Sequence, residues 1–351
     1  MTLCASILIA VLNAAPDAGS GSPQISSWDA EFLPLPGGPS PIGMDYIAYD
    51  PQTDRVWVPA GNTGKTVVVA ASTGKMTTID DFPTASMGTR TVGPSSATVG
   101  SKSVYIGNRA DSTVCAVDKQ TLKKGSCVKL ESTPDGLAYV ASVREVWVTT
   151  PRDNSLTILG PSDKAKGASV KTKIPLEGQP EGYAVDEARG LFITNLEDKD
   201  MTLLIEVRTR KVKSTFHPGC GKAGPRGLAL DSARKQIFVA CTDQVVVLAE
   251  GDGKILSQAP TGAGVDNIDY LPSRHQLFVA SGKEGMLRVF QVSAEGQLKP
   301  IASASTSVGG RSVLVDSKGN AFVPDSAGAR LVIVRQPRSA HARAVSESDR
   351  Q

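Results

Sequence analysis

One pattern of apolar runs and polar turns repeats along almost the whole sequence. The stretch GQPEGYAVDEARGLFITN, residues 178–195, contains a Pro/Gly corner, a short apolar run, an acidic turn and a second apolar run that ends in Asn. Six further stretches follow the same order, with a period of about 40 to 50 residues, which is the blade length of β-propellers. The residues that follow the seven corners are Asp45, Ser95 or Ser96, Asp135, Glu181, Arg226, Asp266 and Arg311.

Each repeat unit predicts four β-strands, which we label A to D. GLALD and QIFVA represent strands A and B, QVVVLA represents strand C, and VKSTF represents strand D. These runs are four to six residues long, rich in Val, Ile, Leu and aromatic residues, and bounded by Gly, Pro, Asp and Lys, which favours strands over helices. The sequence therefore predicts an all-β chain, a seven-bladed β-propeller of four-stranded antiparallel blades.

The two ends of the chain predict how the ring closes. The seventh unit has A, B and C strands (SVLVD, NAFVP and RLVIVR) but runs into a polar tail without a D strand. The segment AEFLPLPGGPSPIG, residues 30–43, has the form of a D strand followed by a corner. We expect this N-terminal strand to complete the last blade, because a shared blade leaves no open edge in the ring.

Composition excludes several classes of partner. The chain has 351 residues with 38 basic and 35 acidic side chains, a balance that does not indicate nucleic acid or an anionic membrane. Aromatic residues make up 5%, which limits stacking on sugars or bases. Trp57 and Trp147 occupy the same strand B position, which predicts packing between blades. A closed ring has no edge that demands a partner, so we expect a monomer.

The ends outside the repeats are assigned from composition. Residues 1–15 fit a signal peptide with an apolar core and small residues near its end, although no Lys or Arg precedes the core. Its apolar run is too short to cross a membrane. The sequence therefore predicts a signal peptide (1–15), a linker (16–29), the propeller (30–335) and a disordered polar tail (336–351), in an exported protein that is periplasmic or secreted, with no transmembrane segment in the mature chain.

The cysteines bear on the same question. If Cys4 leaves with the signal peptide, four of the five cysteines remain, and three pairings are possible. Cys115 and Cys127 lie on strands C and D of one predicted hairpin, and Cys220 and Cys241 belong to the same end of the fifth blade. These two local pairs indicate disulfides and an oxidising compartment; four reduced cysteines in a cytoplasmic protein are the alternative. No Cys spacing typical of a metal or haem site is present.

The repeat motifs resemble those of a known family. VYIGNRADSTVCAVD and GLFITN, with PEGYAVD and PRGLALD, are similar to the repeats of YVTN-type, YncE-like seven-bladed propellers. An Asn at or near the end of strand B is present at Asn62, Asn108 and Asn195. The resemblance implies an exported bacterial propeller that binds a protein, a peptide or a nucleic acid, often without known catalysis.

The corner residues form a predicted ring at one mouth of the central channel, where propeller ligands usually bind. One interpretation is structural: Glu181, Arg226, Asp266 and Arg311 alternate in sign and pair across blades. The other is a site for a cation or a polar ligand. In that interpretation Asp45 and Asp135, which have no basic neighbour in the ring, join Glu181 as oxygen donors for Ca²⁺ or another divalent cation, with Asn195 and Asn108 as neutral donors.

A second resemblance concerns this metal interpretation. PEG at Glu181, PDG at Asp135 and the strand-ending Asn195 are similar to parts of the gluconolactonase and regucalcin propellers, which implies a metal-dependent lactonase with Glu181, Asp135 and Asn195 as ligands. Here, however, Asp135 precedes Glu181, and seven units rather than six are readable. No histidine is expected at the mouth, which argues against nucleophilic triads. The sequence favours a binding or scaffold module, without catalysis or a cofactor, whose ligand is an unknown protein, peptide or small polar molecule; the lactonase is the alternative.

Overall fold

In the computed structural model the chain forms a seven-bladed β-propeller, as the repeats predict. The structure describes residues 25–38, 40–161 and 168–337. The predicted signal peptide and almost all of the predicted tail lie outside these ranges. The described residues contain no α-helix, and three short 3₁₀ segments are present, Gly61–Thr63, Pro151–Asp153 and Gly221–Ala223. None of the helices found there is long and apolar enough to cross a membrane.

The strands are numbered β1 to β31 in chain order, and the blades run in sequence order. Two strands precede blade one, β1 (Ser26–Ser27) and β2 (Ala30–Pro34). Blade one contains β3 (Ala48–Asp50), β4 (Arg55–Ala60), β5 (Lys65–Ala70) and β6 (Met76–Ile79). A hairpin follows, β7 (Ala85–Met87) and β8 (Arg90–Val92). Blade two contains β9 (Pro94–Val99), β10 (Ser103–Asn108), β11 (Thr113–Asp118) and β12 (Lys124–Lys129).

The remaining blades repeat the four-stranded pattern. Blade three contains β13 (Leu137–Val140), β14 (Glu145–Thr150), β15 (Ser155–Pro161) and β16 (Ala168–Pro175). Blade four contains β17 (Pro180–Asp186), β18 (Leu191–Leu196), β19 (Met201–Glu206) and β20 (Lys211–Phe216). Blade five contains β21 (Leu228–Asp231), β22 (Gln236–Ala240), β23 (Gln244–Ala249) and β24 (Ile255–Pro260). Blade six contains β25 (Ile268–Leu271), β26 (Gln276–Ser281), β27 (Met286–Val292) and β28 (Leu298–Ser305), and blade seven β29 (Leu314–Val315), β30 (Ala321–Asp325) and β31 (Arg330–Val334).

The predicted closure by the N-terminal strand is confirmed. Strand β2 pairs antiparallel with β31, from Ala30 opposite Val334 to Pro34 opposite Arg330. The end of the predicted 16–29 linker is also structured, because β1 pairs in parallel with β28 of blade six. The Trp28 ring belongs to a core cluster shared by blades six and seven and packs against Phe278 at 6.3 Å between centroids. The N-terminal segment therefore joins blades six and seven.

The hydrophobic core lies between neighbouring blades. Trp57 is fully buried and packs with Val104 and Ile106 of blade two. The Trp147 ring of blade three lies 4.9 Å from the Phe192 ring of blade four, between centroids. The prediction that the repeated Trp packs between blades is confirmed.

Both predicted disulfides are present. Cys115 and Cys127 face each other on β11 and β12, with their Cα atoms 3.9 Å apart. Cys220 and Cys241 join the corner of blade five to the end of its strand B, at 5.2 Å between Cα atoms. Each bridge stabilises a single blade or its corner, because it cross-links residues that are near in sequence.

Candidate functional site

The predicted ring of corner residues converges on one mouth of the channel. Asp45, Asp135 and Asp266 are close enough to Glu181 for their charges to affect its ionisation. Arg311 pairs with Asp266 through Nε at 3.1 Å. The side chains of Asp45, Asp135 and Asp266 are largely buried, whereas the Arg311 side chain is 58% exposed. The mouth therefore has carboxyl groups inside and a guanidinium group towards solvent.

Asp45 and Asp135 have no basic neighbour among the corner residues, but an arginine from outside the ring pairs with both. Arg109 lies between them and donates from one Nη2 atom to Asp45, at 2.7 Å, and to Asp135. These two carboxylates raise the pKa of Arg109 and keep its charge in a partly buried position. Arg109 directly follows strand β10, which is strand B of blade two. This position after the end of a strand B is the sequence feature from which Arg109 could have been predicted as a neighbour of the ring.

The alternating charges of blades four to seven pair only in part as predicted. The Arg311–Asp266 pair is present. Arg226 instead pairs with Glu197, at the end of strand B of blade four. Burial raises the pKa of Asp266 to about 6 even though Arg311 opposes the shift. Asp266 is thus a carboxyl group that can take up a proton in a mildly acidic solution.

Tyr46 crosses the channel from blade one to blade four. Its hydroxyl donates to Glu181 Oε1 at 2.8 Å, and the Gly182 N–H donates to the same hydroxyl at 3.2 Å. Its ring stacks on Tyr183, with 5.6 Å between centroids. The tyrosine therefore connects blades one and four across the channel at the level of the ring, beside a cavity of about 210 Å³ that Tyr46 and Tyr183 line.

Glu181 is held in a setting that favours its neutral acid. Burial, followed by the charges of Asp135 and Asp266, raises its pKa well above the usual range. Asp135 Oδ2 is buried and lacks a hydrogen-bond partner, but the Glu181 carboxyl lies within hydrogen-bonding range of Asp135. A proton on Glu181 would satisfy this oxygen, since two buried carboxylates cannot both remain charged cheaply.

The corners of blades three to five are closed by glycine. Gly136, Gly182 and Gly227 stand directly after the ring residues. A Cβ at Gly227 would lie 2.6 Å from the Asp266 carbonyl oxygen, and one at Gly182 would overlap the Arg226 carbonyl oxygen. Only glycine allows backbone from the next blade to approach this closely. This part of the mouth is consequently packed by main chain.

A cleft opens on the other part of the mouth, between blades seven, one and two. Here the glycine position is taken by Ser312, Tyr46 and Ser96. The hairpin β7–β8, which the repeat pattern does not predict, lies beside these corners. Together they enclose a cavity of about 610 Å³ that is lined by Asp45, Arg109, Arg311, Arg90, Ser95 and Met44, among others. Three arginines from three different segments therefore meet at one cleft.

The strand-ending asparagines are bound within the fold. The Asn195 amide donates to the Arg226 carbonyl at 2.5 Å, and its oxygen accepts from the Thr202 hydroxyl at 2.7 Å. Asn108 likewise donates to the Pro83 carbonyl and accepts from the Ala110 N–H. These side chains connect strand B ends to neighbouring corners and loops. They do not offer free oxygens to a cation.

The donor set predicted for a metal does not fit one. Asn195 uses its oxygen internally, Asp135 is paired with Arg109, and Glu181 accepts from Tyr46. Within residues 25–38, 40–161 and 168–337, no group of three or more His, Cys, Asp or Glu side chains has the arrangement of a metal site. The metal itself stays a prediction that a binding measurement can test.

Comparisons with known proteins support the fold. No family model matches the sequence, and no curated protein matches it. A chain of the mitotic checkpoint complex aligns with a TM-score of 0.73 and 12% identity over 95% of this chain and 99% of that chain. Hydrazine synthase of Kuenenia stuttgartiensis aligns at 0.71 and 14% over 86% and 97%. Virginiamycin B lyase of Staphylococcus aureus aligns at 0.69 and 11% over 88% and 99%. Identities this low show a shared propeller fold and nothing about activity.

Proposed function

We propose that this chain is a binding module of the exported, YVTN-type propeller class, which holds a partner at the cleft side of its channel mouth. The observation that carries the proposal is the cavity of about 610 Å³, because it combines charged and apolar lining on a rigid ring. A smaller cavity of about 240 Å³ lies beside the corner of blade three and shares Arg90 and Arg109 with the cleft. Asp45, Arg109 and Arg311 then face the ligand, whereas Asp135 pairs with Arg109 and Asp266 pairs with Arg311 behind them.

The two disulfides support an exported location, and the closure of the ring supports a monomer. Both disulfides bridge residues on neighbouring strands or corners, and such bonds persist in oxidising compartments. The ring is closed by its own N-terminal strand, so the blades present no unpaired partner surface between blades seven and one. A monomeric periplasmic or secreted binding protein agrees with both.

Site-specific photocrosslinking tests this function. A photoreactive amino acid replaces Thr89, an exposed residue at the lip of the cleft, in protein exposed to the exported fraction of its native host. The matched control carries the same group at Ala188, an exposed residue in the turn between β17 and β18 at the opposite rim. We expect a discrete crosslinked species from Thr89 alone, which excess unlabelled protein removes. Equal crosslinking from both positions, or none from Thr89, would contradict a cleft-based binding function.

The lactonase alternative has no observation in its favour in the described residues. It needs a divalent cation as Lewis acid and a free carboxylate as base. The ring carboxylates contact Arg109, Tyr46 and Arg311 instead. It remains a prediction, and the metal titration in the Discussion tests its first requirement.

A further inference from the structure

Two features of the cleft bear on the chemistry of its ligand: its free guanidinium groups and its apolar rim. Arg90 stands on β8 and is exposed, and no described residue forms an ion pair or a side-chain hydrogen bond with it. Arg311 contacts Asp266 through Nε, and its two terminal nitrogens have no hydrogen-bond partner in the described part of the chain. Two guanidinium groups on facing segments thus have donors available.

The acidic groups of the cleft are already paired. Asp45 lines the cavity but accepts from Arg109 at 2.7 Å. Asp266 lies beneath Arg311 and is buried. An anionic group that enters from solvent therefore meets Arg90 and Arg311 before it meets a carboxylate. Guanidinium groups bind carboxylates in a planar, two-bonded geometry, and these contacts are strong when partly desolvated.

The cleft also contains a polar atom that lacks a partner. Ser95 lines the cavity, is 6% exposed and has a buried Oγ with no hydrogen-bond partner. That oxygen is itself inaccessible to solvent, so it offers no contact to a ligand at the cleft surface, and the chemistry of the ligand follows from the arginines and the apolar rim.

The lining is not only polar. Met44 and Val92 line the cavity, and Val308, which precedes the lining residue Gly309, is 71% exposed. A simple inorganic anion would leave this apolar surface uncovered, whereas a peptide with alternating acidic and apolar side chains would cover it. The nearby aromatic rings Tyr46 and Tyr183 are stacked on each other and cannot receive a base, which argues against single-stranded nucleic acid.

We propose that this cleft binds an acidic peptide segment, whose side-chain carboxylates contact Arg90 and Arg311 while its apolar side chains cover Met44, Val92 and Val308. The inference rests on the proposed binding function and specifies its partner class. The ring carboxylates keep Arg109 and Arg311 in place, and the hairpin β7–β8 supplies Arg90. Specificity for acidic segments follows, because neutral or basic segments would leave the guanidinium groups without anionic partners.

A random peptide library displayed on phage tests the proposal. Each peptide is joined to the coat protein at its C-terminus, so that only side-chain carboxylates can be selected. We expect peptides selected on the whole propeller to be enriched in Asp and Glu next to apolar residues. A selected peptide should lose affinity by about tenfold or more for Arg90→Ala and for Arg311→Ala, measured by fluorescence anisotropy. Arg274→Ala, an exposed arginine on the opposite rim, is the matched control and should leave the affinity unchanged.

Other outcomes would overturn the proposal and show whether the partner class or the site is wrong. Selection of peptides without acidic enrichment would reject the partner class, as would tighter binding of a 20-nucleotide single strand. Equal losses for Arg274→Ala and Arg90→Ala would reject the site. Arg90→Glu guards against an effect of folding, since this exposed residue makes no described side-chain contact, and it should repel the selected peptides without lowering the melting temperature. If Thr89 still yields a specific crosslink, the binding function stands and only the acidic peptide is rejected; failure of both experiments rejects both.

Discussion

The two parts of the channel mouth are built from the same repeat, but one is closed by tight packing and the other opens into a cleft. In blades three to five, the residue after the ring position is glycine, and the next blade or its aromatic ring packs directly on the main chain. In blades seven, one and two, the same position carries Ser312, Tyr46 and Ser96, and a cleft with three arginines opens beside them. The glycine-bearing corners are therefore closed by tight packing, whereas the cleft opens beside three corners that lack this glycine.

The tyrosine at this position connects the two parts. Because Tyr46 replaces a glycine, its side chain extends across the channel and contacts Glu181 and Gly182 on the closed side. The open side thus owes part of its rigidity to the closed side. A rigid ring of this kind keeps ligand-binding groups in place without an ordering step on binding.

The largest expected effect comes from breaking a closed corner. Gly182 has φ of +64° and no room for a Cβ next to the Arg226 carbonyl oxygen. Gly182→Ala should lower the free energy of unfolding by about 4 kcal/mol, measured by urea denaturation. Gly190→Ala is the matched control, because Gly190 has φ of +63° but nothing within 4 Å of a built Cβ, and it should cost about 1 kcal/mol. Equal losses would show that backbone conformation, rather than close packing between blades, governs this corner.

The next prediction compares the stability that is lost when either of two arginines of the open side, Arg109 or Arg311, is replaced. Arg109→Met removes the cation between Asp45 and Asp135 and should cost about 3 kcal/mol at pH 7, since it leaves two largely buried carboxylates without their partner. Arg311→Met should cost about 1 kcal/mol, because the Arg311 side chain is 58% exposed and solvent screens its pair. The Arg109→Met deficit should shrink at pH 5, where Asp135, whose pKa burial raises, takes up a proton more readily. A deficit independent of pH would contradict the ion-pair explanation.

A smaller effect concerns the pH dependence of stability. The folded-state pKa of Asp266 is about 6, above the value of about 3.9 expected in the unfolded chain. The folded state therefore binds more protons between these values, and stability should fall as pH rises through this window, by less than about 3 kcal/mol. Glu181, whose pKa is also raised, acts in the same direction.

Urea denaturation from pH 4 to pH 7 measures this slope. Asp266→Asn should remove the contribution of Asp266 to the slope of stability against pH. Asp118→Asn, at an exposed position where the pKa of the aspartate is lowered, should leave that slope unchanged. If the Asp266→Asn protein keeps the full slope, the pH dependence arises elsewhere, and Glu181 is then the first residue to test.

The repeat predicts most of the fold but only part of the mouth. Local patterns predict the number of blades and the closure by residues 30–34. They also predict both cysteine pairs and the Trp residues between blades, because each feature concerns residues that are near in sequence or in equivalent positions. Arg109 escaped prediction since the ring was aligned on the corners, and this arginine enters from the end of a strand B. Neither the reach of Tyr46 across the channel nor the position of the hairpin β7–β8 can be derived from the sequence, because both depend on distances between blades that are remote in the chain.

The smallest expected effect is that of divalent cations. The predicted ligands are engaged within the fold, since Glu181 accepts from Tyr46, Asp135 pairs with Arg109, and Asn195 accepts from Thr202. Excess chelator, or Ca²⁺, Mg²⁺, Mn²⁺ or Zn²⁺ added afterwards, should therefore shift the melting temperature by less than about 1 °C, since only an ion that binds the folded state stabilises it. A larger shift with one ion, lost in Glu181→Gln, would mean that the cation displaces Tyr46 or Arg109 from the ring carboxylates. The closed side of the mouth would then also bind a ligand, and binding could no longer be assigned to the cleft side alone.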